Sequence, residues 1–252
     1  MDKTKVAILG TGKIGTDLLI KVLKSKYLDC VVFAGLRDES PGIARARSLN
    51  VNTSIHGISA IIKSEAEIVF DCTSAEAHKK NFPLLKDCFV IDLTPAHMGD
   101  FCVPALNIEE SLTKDEISLI SCGAQAIIPK IAKIGYKDME YIETVTTIAS
   151  LSAGAGTRDN ISQYLKTTQE AITKFFKVPS KAILLINPAV PPINMFNTVY
   201  IKRKEKTEII QFEVKGKGDY LKRWEGNLDV INRAAIKVAE KYAKNHAKNH
   251  SH

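Results

Sequence analysis

Residues 5–24 read KVAILGTGKIGTDLLIKVLK. An apolar, β-type run ends at Gly10, and glycines recur at positions 12 and 15. Leu18, Leu19, Val22 and Leu23 then fall at helical spacing. The segment is therefore a strand, a glycine turn and a helix. Gly10 allows the tight turn, Gly12 lets a pyrophosphate approach the backbone, and Gly15 lets the helix lie close on the strand. The helix N-terminus turns its N–H groups towards the phosphates. The pattern predicts a dinucleotide site, with a plain strand–helix turn as the alternative.

Beyond this segment, CVVFAGL (30–36), EIVFDCT (67–73), FVIDLT (89–94) and ISLIS (117–121) read as further strands, and GIARARSL (42–49) as a short helix. Nearly all-apolar strands alternating with helices predict an α/β fold built on a doubly wound parallel (Rossmann) sheet. After residue 123 the texture changes. YIETVTTIAS (141–150), KAILLIN (181–187), TVYIKR (198–203) and EIIQFEVKG (208–216) read as longer strands, with one helix near 158–176. They predict a second, α+β domain on an antiparallel or mixed sheet. A last helix, 226–245, carries Ile231, Ala234, Ala235, Val238 and Tyr242 on one stripe and is expected to pack back on the first domain. The expected division is 1–122 (dinucleotide-binding), 123–225 (catalytic), 226–245 (returning helix) and 246–252 (polar tail). In that tail, His246 and His250 stand at i,i+4 with His252 beyond, read as a polar terminus rather than a metal site.

Apolar residues make up 45% of the 252 and charged residues 25%, as in soluble enzymes. No apolar run approaches a membrane span, and the first residues lack a signal-peptide pattern, so a cytoplasmic protein is expected. Cys30, Cys72, Cys88, Cys102 and Cys122 are odd in number, with no CxxC pair, which fits reduced thiols rather than disulfides or a zinc site. Net charge is +7, and residues 202–223 hold eight basic against four acidic residues. That segment reads as a solvated strand pair or as an attractor of a phosphate-bearing ligand. It lacks the interleaved aromatics of a nucleic-acid surface.

Two positions refine the chemistry. Arg37 sits at the tip of the second strand and suits a 2′-phosphate, whereas Asp38 beside it suits a 2′-hydroxyl. NAD is favoured and NADP stays open. Cys122, in SLISCGAQAIIP (118–129), follows a strand at the ligand-facing edge of the parallel half. A helix start at Ala126–Pro129 would lower its pKa, and backbone N–H groups after it would stabilise an oxyanion. Covalent aldehyde oxidation is then the functional reading, and a buried core thiol the other. His78 and His97 lie after strands on the same edge. They read as structural or cofactor-facing, and neither is nominated as a base.

The motifs VAILGTGKIGTDLLIKVL, FDCTSAEAH, IDLTPAHMGDFCVP, SCGAQAIIP, SAGAGTRDNISQY, INPAVPP and EGNLD occur in that order. Together they resemble the acylating acetaldehyde dehydrogenases of aromatic-catabolic pathways. The resemblance implies oxidation of a short aldehyde to its acyl-CoA, with NAD and coenzyme A, through a thioester on Cys122. It implies cofactor contacts at Thr11, Gly12, Lys13 and Ile14. It adds Ser152, Ala153, Gly154, Ala155, Gly156, Thr157, Arg158, Asp159 and Asn160, and also Asn227, which alone reads as a helix N-cap. A homodimer and an aldolase partner are further implications.

Three departures stand out. Asn197 occupies the place of a family aspartate assigned to proton movement at the thiol, and an amide cannot take a proton. Arg37 stands where the family has a ribose-binding aspartate. The stretch between Tyr200 and Gln211 is shorter than in relatives, which carry a helical segment there. A dehydrogenase that does not use coenzyme A, and a catalytically weakened nucleotide-binding homologue, remain as alternatives.

Overall fold

The computed structural model describes residues 2–249, and at 155, 156 and 247–249 the backbone only. The chain divides into two compact units, one running to Leu119 and resuming at Asn232, the other spanning Ile120–Ile231.

The first unit is a seven-stranded sheet. Its strands are β1 (Thr4–Leu9), β2 (Leu28–Ala34), β3 (Thr53–Ser54), β4 (Ile68–Asp71), β5 (Phe89–Asp92), β6 (Asp100–Cys102) and β7 (Glu116–Leu119). The order is β3-β2-β1-β4-β5-β7-β6, and every pairing is parallel. The connections include α1 (Lys13–Lys24), α2 (Pro41–Ser48), α3 (Ile58–Ile62), α4 (Ala75–Asn81) and α5 (Ile108–Ser111). Because helices cover both faces, the central strands bury both of theirs. Val6, Ala7, Ile8, Ile68, Val69, Phe70, Val90 and Ile91 are fully buried. Strand order reverses between β1 and β4, which opens a crevice beyond their carboxyl ends. β3 and β6, of two and three residues, go unseen in the sequence because they are too short to show a period.

The second unit holds α6 (Cys122–Ile134), β8 (Met139–Ala149), α7 (Ala155–Asp159), α8 (Ile161–Phe176), β9 (Ser180–Asn187), β10 (Met195–Arg203) and β11 (Thr207–Val214). Its mixed sheet is ordered β11-β10-β8-β9, with β8 and β9 parallel and the other pairs antiparallel. Alternation along β8 and β10 sorts the two faces. Ile142, Ile148, Met195, Val199 and Ile201 are buried, and α6 and α8 pack against this sheet. The opposite face keeps Leu185, Phe196, Tyr200 and Ile209 exposed. The helix expected as one near 158–176 is two, α7 and α8, because Asn160 leaves helical geometry at φ −125°. β10 and β11 are joined through residues 204–206 alone. The basic segment here is a solvated strand pair, with Arg203 and Lys206 on Glu208, Lys202 on Glu140 and Lys215 on Glu213.

The last helix, α9, spans Gly226–Asn249, four residues past the expected end. Tyr242 and His246 explain the extension: their rings stack at 3.8 Å, and His246 Nδ1 lies 3.0 Å from the Tyr242 carbonyl. His250 and His252 lie outside the described residues. Within the first unit α9 packs on the sheet and on α1. Asn232 Nδ2 donates to Asp17 Oδ2 at 2.8 Å and to the Ile14 carbonyl at 3.1 Å, and Phe89 stacks on Tyr242. Asp17 is itself buried in an ion pair with Lys21 at 2.9 Å. The returning helix is thereby fixed to the helix that follows the glycine turn.

Candidate active site

The glycine turn is built as its spacing requires. Gly10 sits at φ +112°, and a Cβ there would lie 2.6 Å from the Cys72 carbonyl oxygen. A Cβ on Gly15 would collide with the Gly10 carbonyl, so helix and strand touch directly. Gly12 is the N-cap of α1, with no side-chain cap and open space where a Cβ would stand. Thr11 is held by Ser40, whose hydroxyl lies 2.9 Å from the Thr11 hydroxyl and 3.2 Å from its carbonyl. Lys13 and Ile14 form the first turn of α1. Asp38 is ion-paired to Arg47, which holds its carboxyl below the usual range.

Also in the first unit is a cluster the sequence did not disclose. His78 belongs to α4 and is fully buried. Its Nδ1 lies 2.9 Å from Asp71 Oδ2 and its Nε2 2.7 Å from Glu116 Oε1, with Asp92 Oδ2 at 3.8 Å. Burial presses its pKa down, but the hydrogen bonds to Asp71 and Glu116 and the charge of Asp92 prevail and raise it to about 10. Asp92 is pushed up to about 6 by burial, against the pull of His78. His78, Asp92 and Glu116 offer ligand-type atoms within 4.8 Å of one another, the one such group among the described residues. Both ring nitrogens are already taken by carboxylates. His97 has a left-handed backbone (φ 49°), and burial lowers its pKa to about 4.

In the second unit Cys122 is the first residue of α6, and Ser121 is the N-cap. The helix begins four residues earlier than the Ala126 start expected from sequence. The Ser121 hydroxyl accepts the Ala124 N–H at 3.1 Å, and Pro129 is carried inside the helix. Cys122 is only 8% exposed and packs with Ala126, Ile148, Ala153 and Met195. Its sulfur lies 3.7 Å from the Tyr164 hydroxyl of α8. The expected lowering of its pKa is overturned. Burial pushes the thiol up to about 11, while Tyr164 and the N–H groups of Gly123 and Cys122 pull it down less strongly.

The expected oxyanion donors are also engaged. The Gly123 N–H donates to the Tyr164 hydroxyl at 3.1 Å, and the Ala124 N–H to Ser121. The Tyr164 oxygen takes the space a Cβ on residue 123 would need, at 2.3 Å, which explains the glycine. Around the thiol stand the partly buried Tyr164 and the buried Thr146 and Asn197. Asn197 was singled out in the sequence and Tyr164 closes a quoted motif, but the grouping with Thr146 was not legible there. Thr146 Oγ1 donates to Asn197 Oδ1 at 2.9 Å.

The 152–160 segment lies in the same unit. Ser152 donates to the Ala149 carbonyl and Ala153 packs near Cys122. A Cβ on Gly154 would stand in open space. The α7 backbone runs through Ala155, Gly156, Thr157, Arg158 and Asp159 to Asn160. The Arg158 guanidinium is tied to Ser150 and to the Ala153 carbonyl, so it braces this turn. Asn227, inside α9, reaches the Ser152 carbonyl through Nδ2 at 3.5 Å, and its buried Oδ1 has no partner among the described residues. The segment, Asn227 and Cys122 are thus brought close together.

Comparison with known proteins gives this geometry a context. Residues 122–225 match the family "Prokaryotic acetaldehyde dehydrogenase, dimerisation". The acetaldehyde dehydrogenase of Pectobacterium atrosepticum is 41% identical over 281 residues, covering 94% of this chain and 95% of that protein. That of Carboxydothermus hydrogenoformans is 39% identical, covering 95% and 93%. An alignment of 281 positions against a chain of 252 requires insertions in the relative. Aspartate semialdehyde dehydrogenase II from Vibrio cholerae, complexed with ASA, shares the fold at a TM-score of 0.59, with 19% identity over 81% of this chain and 73% of that one. At its level of identity and coverage, the match to the curated relatives assigns this chain to the acetaldehyde dehydrogenase family.

Proposed function

We propose that the chain is an acylating aldehyde dehydrogenase that turns acetaldehyde or a similar short aldehyde into its acyl-CoA, with NAD, or NADP, as hydride acceptor. The observation that carries this reading is Cys122 at the first position of α6, the segment where the family match begins. The domain roles follow: residues 1–122 bind the dinucleotide, 123–225 hold the aldehyde and the thiol, and 226–245 return to the first domain.

The uncapped N-terminus of α1 and the open space at Gly12 support phosphate binding by Thr11, Gly12, Lys13 and Ile14. In the second unit, the motif resemblance makes Ser152–Asn160 and Asn227 further cofactor contacts, and the Asn227 Oδ1, without a partner among the described residues, is an acceptor suited to a carboxamide N–H. A bound nicotinamide would supply the hydride acceptor. Cys122, as thiolate, adds to the aldehyde carbon and forms a C–S bond while the carbonyl π bond opens to an oxyanion, which re-forms the carbonyl as hydride leaves that carbon. After hydride loss the acyl group stays on Cys122 as a thioester. The thiol of coenzyme A displaces it, and the proton of that thiol leaves with the restored Cys122.

The outer face of the second sheet, where Leu185, Phe196, Tyr200 and Ile209 are exposed, supports a homodimer through a second copy of this chain. The five unbridged cysteines suit a cytoplasmic setting. An aldolase partner and a place in aromatic-compound catabolism rest on the motif resemblance alone.

A steady-state assay tests the reading. Wild type should reduce NAD or NADP only with acetaldehyde and coenzyme A together, and Cys122→Ala should lose turnover while still binding nucleotide. Full turnover with phosphate or water replacing coenzyme A would instead indicate a dehydrogenase that does not use it. Absence of any turnover would favour the weakened homologue, which the buried, protonated thiol and Asn197 support.

A further inference from the structure

Cys122, Thr146 and Asn197, all buried, and the partly buried Tyr164 come from four different elements, α6, β8, β10 and α8, and meet in one line. Their donors and acceptors can be counted. The Tyr164 oxygen accepts the Gly123 N–H at 3.1 Å and faces the Cys122 S–H at 3.7 Å, which fills both lone pairs. Thr146 Oγ1 flanks the same spot, since a Cβ on Gly123 would lie 2.3 Å from the Tyr164 oxygen and 2.9 Å from Thr146 Oγ1, and the Tyr164 proton goes to it. Thr146 must donate onward, because Asn197 Oδ1, 2.9 Å away, can only accept. Every proton in the line thus points away from the sulfur. At the far end, Asn197 is fully buried and its Nδ2 has no partner among the described residues. An orphaned donor in such a place costs stability unless another state uses it.

We propose that these four residues form a reversible hydrogen-bond chain that sets the ionisation of Cys122, with Tyr164 as the positioning residue. The inference rests on the reading of Cys122 as the nucleophile. When the S–H bond breaks, its proton leaves to a solvent base and the sulfur becomes an acceptor only. The Tyr164 O–H turns to the thiolate. Thr146 turns its proton to the Tyr164 oxygen, which again has two donors, Gly123 and Thr146. The Asn197 amide turns over, and Nδ2 donates to Thr146. No other bond is made or broken. The reversal needs an end group that can both accept and donate. An amide can do this, whereas an ionised carboxylate only accepts. The hydroxyl chain therefore gives the buried thiolate a donor when it forms, where no charged group among the described residues of its own unit faces it.

The test reads Cys122 directly, with neither aldehyde nor cofactor. The pH dependence of iodoacetamide alkylation would be followed by mass spectrometry of the Cys122 peptide, in wild type and variants of matched thermal stability. Tyr164→Phe should slow alkylation about tenfold at a fixed pH and move its midpoint upward. Thr146→Val should slow it about threefold, Thr146→Ser should restore the wild-type profile, and Thr146→Val added to Tyr164→Phe should add almost nothing. An unchanged Cys122 profile in folded Tyr164→Phe, or full additivity of the two changes, would overturn the chain. If Tyr164→Phe fails to fold, the Val and Ser variants of Thr146 decide: equal profiles overturn it. Because no aldehyde is present, loss of this inference leaves the proposed function standing, and the two failures are read in separate assays.

Discussion

His78 and Cys122 are both buried, yet they end in opposite charge states. For each, desolvation is the largest influence and disfavours the charged form. What differs is the company. His78 lies among three carboxylates, Asp71, Asp92 and Glu116, and is held as an imidazolium up to about pH 10. Cys122 has a tyrosine hydroxyl, two backbone N–H groups and apolar neighbours, and its pKa rises to about 11. A full opposite charge can outweigh burial, whereas neutral donors only reduce its effect. The first site is therefore committed to one protonation state, and the second is poised to be changed by whatever enters it.

The contrast can be broken most severely by removing the groups themselves. Cys122→Ala should lower aldehyde turnover by at least about a thousandfold in a coupled nucleotide assay. His78→Leu should cost about 3–5 kcal/mol in urea denaturation, because it leaves three buried carboxylates without their cation. Its pH signature has a definite sign. The folded pKa, about 10, lies above the ordinary histidine value of 6.5. The stabilisation is complete below the lower value and lost as pH rises through the upper one. Urea midpoints of wild type should fall across that window, and those of His78→Leu should lack this component.

Cys122 should show its own sign. Below a pKa of about 11 its thiolate fraction grows about tenfold per pH unit, so alkylation should climb without a plateau through neutral pH. A plateau below about pH 8 would mean a charged partner has been overlooked. A finer cut is Glu116→Gln, which leaves His78 two carboxylates. Its pKa, followed by NMR titration, should fall by about 1–2 units. The smallest effect on folding is expected at the outer sheet face. Ile209→Lys should change stability by less than about 0.5 kcal/mol yet weaken dimerisation about tenfold in sedimentation equilibrium.

The parallel half was readable because its strands are apolar on both faces and its glycines do specific backbone work. Gly10, with its positive φ, and Gly15, in contact with the Gly10 carbonyl, are where spacing alone suggested. The ionisation of Cys122 was not readable. Its place at a helix start was nearly visible, but the start was set too late because Pro129 attracts an N-terminal assignment while Ser121 does the capping. The sign of the pKa shift failed because a helix terminus contributes a fraction of a charge, whereas burial depends on Ile148, Ala153 and Met195, brought in from elsewhere in the chain. Tyr164 takes the Gly123 N–H across 41 residues, a pairing no local pattern encodes. The His78 cluster is hidden for the same reason, since Glu116 lies 38 residues away.

Where the acyl group rests decides whether Cys122 is the nucleophile. The chain should be incubated with acetaldehyde and oxidised nicotinamide nucleotide, without coenzyme A, then quenched in acid and digested. One acetyl group should appear on the Cys122 peptide and be removed when coenzyme A is added before the quench. Nucleotide reduction with an unmodified Cys122, or an acetyl group on a different residue, would contradict it.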